Sequence, residues 1–162
     1  MQDSDYHYNI KTITTMKTTK LFMAMVSCVI IAFVSSCKTQ QQNFSSVPFT
    51  EADRYFVRND VDGRVPAKIT KQSEFDSYFG QAAVMGAQPT PIDFSKQFVI
   101  AVDMPDTNRA TTLSPKSLRK TGGSLIFSYT AKQGGTQSFT THPLLLIIVD
   151  KKYEADVTVR PQ

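Results

Sequence analysis

Cysteine is nearly absent from this sequence of 162 residues. Its two cysteines, Cys28 and Cys37, both lie near the start of the chain, so the region after Cys37 has no thiol. Such a region has neither a disulfide framework nor cysteine-based chemistry. It must be stabilised by an apolar core, and it is long enough to bury one.

Histidine and clustered basic residues are also scarce. The formal net charge is +4, and no three lysines or arginines are consecutive. This mild balance gives no support to nucleic-acid binding. His142 is the single histidine after Cys37. Because a zinc site needs three or four His, Cys or acidic ligands, we predict neither a metal nor another cofactor.

One long apolar run is present, in residues 21–34. Lys17 and Lys20 precede it, and two serines follow it. This order is typical of a secretory signal peptide. The run is too short for a membrane-spanning helix, which needs about 20 apolar residues. We therefore predict that residues 1–36 are a signal peptide.

The leading residues of the chain do not fit this signal. Asp3 and Asp5 are acidic, whereas the start of a signal peptide should be basic. Met16 is followed at once by basic residues and then by the apolar run. We therefore expect translation to start at Met16.

The end of the apolar run, Val34-Ser35-Ser36-Cys37, resembles the lipobox of bacterial lipoproteins. The resemblance implies that a signal peptidase cuts after the small Ser36 and that Cys37 carries acyl chains. Each buried methylene contributes about 0.8 kcal/mol of membrane affinity, so two or three chains hold a domain firmly on a bilayer. We predict a lipid anchor in the bacterial cell envelope; an ordinary signal peptide with a coincidental cysteine is the alternative. In one group of bacterial lipoproteins, acidic residues just after the cysteine direct export to the cell surface, and none follows Cys37. The resemblance to such lipoproteins therefore implies the outer membrane, facing the periplasm.

Two regions follow the predicted cleavage site. Residues 37–48 are rich in Gln, Asn, Ser and Thr and are predicted to form a flexible tether. Residues 49–162 have the length of one globular domain.

One helix is predicted early in this domain. Ser73 followed by Glu74 is typical of a helix N-terminus, because these side chains accept hydrogen bonds from free amides. The spacing of Phe75, Tyr78 and Phe79 predicts one aromatic face against the core. A second helical stretch is possible at 82–85.

Most of the domain has strand character. Residues 97–102 and 144–149 are continuously apolar, which is typical of strands buried on both faces. Gly122-Gly123 and Gly134-Gly135 are predicted hairpin turns. The fold class is therefore mainly β (α+β), a small antiparallel β-sandwich or partly open barrel with one packed helix. Further strands are predicted at 55–58, 67–70, 111–119, 124–130 and, at a sheet edge, 154–159.

Several segments together resemble the C-terminal domain of the PrcB lipoproteins. Residues 69–75 are followed by Ile92-Asp93-Phe94-Ser95, which leads into the apolar strand at 98–102. The strands at 125–129 and 143–148 then come in the order of that domain.

This resemblance covers roughly residues 56–159. It implies a role like that of the subunit for which these lipoproteins are named, which stabilises a bacterial surface protease complex. The chain departs from the family at residues 107–112, which replace a glycine-rich segment.

Catalytic candidates centre on His142. A Ser-His-Asp arrangement would combine it with a serine and with Asp103, Asp106 or Asp150. No Gly-x-Ser-x-Gly elbow is present to expose a nucleophile. A lone histidine beside an apolar strand is more often structural, and we predict no catalytic residue.

Two further motifs have a structural alternative. Asp60-Val61-Asp62-Gly63 faintly resembles a calcium loop, but the remaining ligands are absent and a turn is the better interpretation. Four tyrosines suit a sugar or peptide groove, or else core packing: Tyr55, Tyr78, Tyr129 and Tyr153.

Three functional hypotheses remain. We favour a lipid-anchored, non-enzymatic module that binds or stabilises another envelope protein. The alternative is a lipoprotein that binds a small ligand, glycan or peptide. A hydrolase centred on His142 is the least favoured.

Overall fold

A computed structural model describes residues 44–82 and 86–162. The predicted signal peptide, its cleavage site at Ser36 and the lipid site at Cys37 lie outside the described residues. Within the described ranges, no helix is long and apolar enough to cross a bilayer. The elements are β1 Ser45–Ser46, β2 Thr50–Glu51, β3 Tyr55–Val57, β4 Lys68–Ile69, α1 Gln72–Tyr78, β5 Phe79–Gln81, β6 Gln97–Asp103, β7 Thr107–Thr121, β8 Ser124–Thr141, β9 Leu144–Asp150, a 3₁₀ turn Lys151–Tyr153 and β10 Asp156–Pro161.

Two four-stranded sheets form the frame of the domain. Sheet A has the order β1-β7-β8-β10 and sheet B the order β2-β9-β6-β4, while β3 and β5 form a separate pair. The pairs are antiparallel except β8–β10, which is parallel. Neither sheet closes into a barrel, and the predicted mainly β, sandwich-like class with one packed helix is confirmed.

The domain has three layers, because sheet B is covered on both faces. One face of β6 and β9 packs against sheet A in the inter-sheet core, and the other face packs against α1 in the helix-side core. The prediction that these two strands are buried on both faces is confirmed. Burying one large side chain contributes about 1.5–3 kcal/mol. The inter-sheet core contains Val47, Phe98, Ile100, Val102, Leu118, Leu125, Phe127, Leu145, Ile147 and Val149.

The helix begins two residues earlier than predicted. Lys71 occupies the N-cap without a side-chain hydrogen bond, and Ser73 lies inside the helix. Glu74 instead accepts weakly from the Thr70 amide, at 3.5 Å from Oε2 to N. Phe75 is buried and its ring packs 4.7 Å from that of Phe79, but Phe79 is the first residue of β5, so the predicted aromatic face belongs only in part to the helix. Residues 83–85 lie outside the described ranges, so the second helical stretch stays a prediction.

The predicted turn at Gly134-Gly135 is wrong. Both residues lie inside β8, and neither has the positive φ that Gly122 shows at the true hairpin turn, 55°. A register shift between Arg109 and Thr111 leaves an extra residue of β8 there, and glycine is common at such bulges. Strand β7 is correspondingly longer than the predicted 111–119.

Both ends of the chain differ slightly from their predicted bounds. Ser45 and Ser46 form β1 and Val47 is buried, so the fold includes residues that we assigned to the tether at 37–48. The predicted edge strand is β10 and lies at the edge of sheet A, as expected, but it covers Asp156–Pro161.

Candidate functional site

The central strands of the two sheets form one continuous ribbon. The β6–β9 pair of sheet B leads into the β7–β8 pair of sheet A through two short links that run side by side. The Met104 amide donates to the Pro143 carbonyl at 3.1 Å, which joins the links. We call residues 103–106 with 142–143 the corner.

His142 lies at the corner between two carboxylates. Its Nδ1 is 2.7 Å from Asp106 Oδ1, and its Nε2 forms a short hydrogen bond to Asp103 Oδ1. The other Asp103 oxygen accepts from the Val65 amide at 3.2 Å. The side chain of Asp103 is 11% exposed and that of Asp106 is 68% exposed. The imidazole therefore ties together both links of the corner, and Asp103 extends the contact to the segment before β4.

The two carboxylates change the protonation of His142. Partial burial by itself lowers the pKa of the imidazole, but the hydrogen bonds to Asp103 and Asp106 and the charges of both carboxylates raise it more. The net pKa is above the usual 6.5. The protonated ring donates to both acids, so the corner is held most tightly when His142 is charged.

This arrangement differs from a Ser-His-Asp triad. In a triad one ring nitrogen faces the serine, whereas here both nitrogens are hydrogen-bonded to aspartates. Asp150, the third candidate, lies at the opposite end of β9 from His142. Within the described residues, no serine hydroxyl bonds to the ring. The geometry fits a structural clamp better than a general base.

The same geometry does not gather ligands around one point. The two ring nitrogens flank Cε1 and their hydrogen-bonding directions diverge, so Asp103 and Asp106 approach the ring from different directions. Among residues 44–82 and 86–162, no group of three or more His, Cys, Asp or Glu side chains is placed to hold a metal ion.

The possible calcium loop is a turn in the structure. Gly63 has a φ of 97°, as predicted for a turn glycine. Asp60 is engaged by the Arg58 guanidinium at 2.8 Å, and this hydrogen bond lowers the pKa of the Asp60 carboxyl. The turn lines one side of a cleft of about 420 Å³ whose other side is formed by Asp106 and His142.

The four tyrosines do not form a common groove. Tyr55 and Tyr78 pack against the helix-side core, while Tyr129 and Tyr153 pack against the inter-sheet core. Tyr55 alone of the four lines a second cleft, of about 430 Å³, and its hydroxyl donates to the Thr90 carbonyl at 2.7 Å.

Beyond the corner, the β7–β8 ribbon has a region that sequence reasoning missed. We call residues 107–111 of β7 and 133–141 of β8 the arm. Strand β1 pairs with β7 only at residues 119–120, and β10 pairs with β8 only at 124–129. Among residues 44–82 and 86–162, the arm is therefore two-stranded, with an unpaired edge on each side.

The β8 side of the arm is irregular. From Thr107 to Arg109, β7 advances by two residues, whereas its partner β8 covers five, from Thr136 to Thr141. The additional residues of β8 therefore form a bulge. Phe139 lies in this bulge and is 56% exposed, the highest exposure among the large hydrophobic residues of the described chain. Gln137 Oε1 is buried there without a hydrogen-bond partner among the described residues. The sequence signals for this region, a glycine pair and many threonines, indicated only a turn.

Comparison of the chain with models of protein families, with curated proteins and with solved structures gives no match. The resemblance to the PrcB lipoproteins therefore stays a prediction.

Proposed function

We propose that this protein is a lipid-anchored, non-enzymatic cell-envelope protein whose β domain binds and stabilises another envelope protein. Acyl chains on Cys37, after cleavage at Ser36, attach it to the outer membrane, facing the periplasm. The lipobox-like sequence and the resemblance to a complex-stabilising family support this proposal. The arm is the single structural observation that carries it.

The arm has the properties of a docking edge. Proteins usually protect an unpaired strand edge with charges, proline or a covering element, because the edge can pair with another chain. The arm contains one charged residue, Arg109, and no proline. The exposed Arg109 side chain is held across the arm, where its guanidinium donates to the Gly134 carbonyl at 3.2 Å. The bulges interrupt the β8 edge, so the β7 edge at 107–111 is the better template for an added strand.

The exposed Phe139 adds a side-chain anchor to these backbone groups. Aromatic residues supply a large share of the binding energy at protein interfaces, whereas strand pairing supplies the geometry. A partner that adds a strand to the arm and covers Phe139 would use both.

The anchor itself is tested by the intact mass of the protein extracted from native membranes, beside a Cys37→Ser variant. We expect a mass equal to residues 37–162 plus acyl chains, and loss of both the acyl mass and membrane retention in the variant. An unlipidated, freely soluble native product would contradict the anchor.

The docking edge is tested by placing a photo-crosslinking amino acid at position 139 in cells. A matched control carries it at position 96, where the Lys96 side chain is 83% exposed near the helix-side core. We expect a discrete protein adduct from position 139 and none from position 96. Equal labelling from both positions, or no adduct from position 139, would argue against a partner at the arm.

The cleft beside Tyr55 supports the second candidate function, binding of a small glycan or peptide. Its volume of about 430 Å³ is within the usual range for small-molecule sites. A thermal-shift screen against glycan fragments and short peptides, with Tyr55→Phe as control, tests this candidate. Stabilisation that is lost in Tyr55→Phe would move it ahead of the docking role.

A further inference from the structure

Charge is distributed unevenly along the described chain. From Thr107 to Thr141, which is the whole β7–β8 hairpin, the sequence has five basic residues and no acidic one. Residues 44–106 instead contain nine acidic and six basic residues. The mild net charge of the protein therefore conceals a basic hairpin.

Strand alternation places some of these charges on the outer face of sheet A. Leu125 and Phe127 of β8 face the inter-sheet core. Because side chains alternate along a strand, the even-numbered residues from 124 to 132 face outward. Lys132 of β8 shares this parity, and Arg119 of β7 pairs with the outward Ile126. Arg160 of β10 pairs with the outward Ser128.

Apart from Ile126 and the charged residues, the side chains of the outer face are serines and threonines. The face has no aromatic residue, and Asp156 is its one acidic residue. Strand geometry places the Cα atoms of Arg119, Lys132 and Arg160 roughly 12–20 Å apart. Ser128 has the same parity but is only 5% exposed. The face is completed by Ser46, Thr112, Ser114, Ser117, Thr121, Ser124, Ile126, Thr130 and Thr158.

The three basic side chains are exposed and free to bind an anion. Among residues 44–82 and 86–162, the ion pairs involve other groups, and none includes Arg119, Lys132 or Arg160. A positively charged, hydroxyl-rich surface complements a layer of phosphate groups better than it complements an apolar or a basic partner.

The path of the chain brings this face near the predicted anchor. Strand β1 is the first element after the tether, and its Ser46 pairs directly with Arg119. The chain from Cys37 to Ser45 spans at most about 28 Å when fully extended. An acylated Cys37 can therefore lie no more than about 28 Å from Ser45, at the edge of sheet A.

We propose that the outer face of sheet A, through Arg119, Lys132 and Arg160, docks on the anionic headgroup phosphates of the bilayer that holds the anchor. Docking would fix the orientation of the domain and hold the arm in a defined position above the membrane. The proposal rests on the proposed lipid anchor, but the face can be tested without it. Each basic residue near an anionic membrane contributes about fivefold in binding, and salt screens the attraction over about 8 Å at physiological ionic strength.

The test uses the mature chain with Cys37→Ser, so that acyl chains make no contribution. Its sedimentation is measured with vesicles of phosphatidylcholine alone and with vesicles containing equal amounts of phosphatidylcholine and phosphatidylglycerol. We expect binding to the anionic vesicles only, and its loss at high salt. Arg119→Gln with Lys132→Gln should weaken the partition constant by about 25-fold.

The matched control is Arg64→Gln with Lys71→Gln, which removes the same charge from exposed residues beside the helix-side core. We expect this control to bind within about threefold of the unsubstituted protein, through the small change in net charge alone. Circular dichroism of all variants confirms that they are folded.

Three outcomes would overturn the membrane-docking proposal. They are equal binding to both vesicle types, equal losses in the two double variants, and no binding of the unsubstituted chain. If Arg119→Gln with Lys132→Gln abolished the crosslink at position 139 without weakening vesicle binding, the face would belong to the protein interface instead. A failed anchor would appear separately, as an intact mass without acyl chains.

Discussion

The β7–β8 hairpin has two parts in different surroundings. One is the arm; the other, which we call the base, consists of residues 118–127 on either side of the turn at Gly122. At the base, Leu118, Leu125 and Phe127 are at most 1% exposed, because sheet B covers one face. In the arm, residues 133–136 are all exposed, and Phe139 points away from both cores. The difference shows that burial is set by the neighbouring layer, not by the strand. The base stabilises the domain, whereas the side chains of the arm are accessible to another molecule.

The largest expected effect separates two phenylalanines of the same strand. Phe127→Ala removes a side chain from the inter-sheet core and should lower the free energy of unfolding by about 3–5 kcal/mol. Phe139→Ala should change it by no more than about 0.5 kcal/mol, because the ring is exposed. Urea unfolding followed by circular dichroism measures both. Similar losses in the two variants would show that Phe139 packs against the domain.

Next in size are the two aspartates of the corner. Asp103→Asn weakens hydrogen bonds of a mostly buried carboxylate to His142 and to the Val65 amide, and should cost about 1–3 kcal/mol. Asp106→Asn affects a mostly exposed pair and should cost less than about 1 kcal/mol. The same unfolding experiment compares them, and the reverse order would contradict the asymmetry of the clamp.

A smaller effect concerns pH. Because the folded pKa of His142 is raised, its contribution to stability is fully present below the unfolded value near 6.5 and is lost as pH rises through the folded pKa. We expect stability to fall by less than about 1 kcal/mol between mildly acidic and mildly alkaline pH, since the pair is partly exposed. His142→Gln should remove this slope. An unchanged slope in the variant would assign the pH dependence to other groups.

The smallest effect compares the two arm glycines. A Cβ at Gly134 would lie 3.3 Å from the Ala110 Cβ, whereas one at Gly135 would meet nothing within 4 Å. We expect Gly134→Ala to lower stability slightly and Gly135→Ala to raise it by up to about 1 kcal/mol, through the reduced entropy of the unfolded chain. Thermal melts of the two variants give the sign of each change. A stabilising Gly134→Ala would mean that the arm strands are farther apart than the structure shows.

The sequence revealed the layers of the domain better than its surface features. Continuous apolar runs at 97–102 and 144–149 identified the doubly covered strands, because burial on both faces removes the polar alternation. The aromatic residues at 75 and 79 identified the segment that packs on sheet B, although Phe79 already belongs to β5. Both signals are local, and they needed no knowledge of distant partners.

The corner and the arm depend on pairing between residues far apart in sequence. Asp103, Asp106 and Asp150 were equal candidates to contact His142, and only the pairing of Asp103 with Leu144 selects the first two. The arm was hidden because Gly134-Gly135 has the composition of a turn. Its extended backbone depends on the β7 residues that it pairs with, 107–111, which lie more than 20 residues earlier.

The short first strand also determines how the domain responds to a mechanical load. Tension applied through the chain before Ser45 reaches β1 first, and β1 is held by a two-residue pairing with β7 and by the buried Val47. This attachment should peel away well before the long β6–β9 and β7–β8 pairs shear. Release of residues 45–49 would lengthen the lead by about 17 Å while β2 still holds the chain to sheet B. The domain thus begins with a small extensible segment whose release withdraws Val47 from the inter-sheet core and leaves the long strand pairs intact.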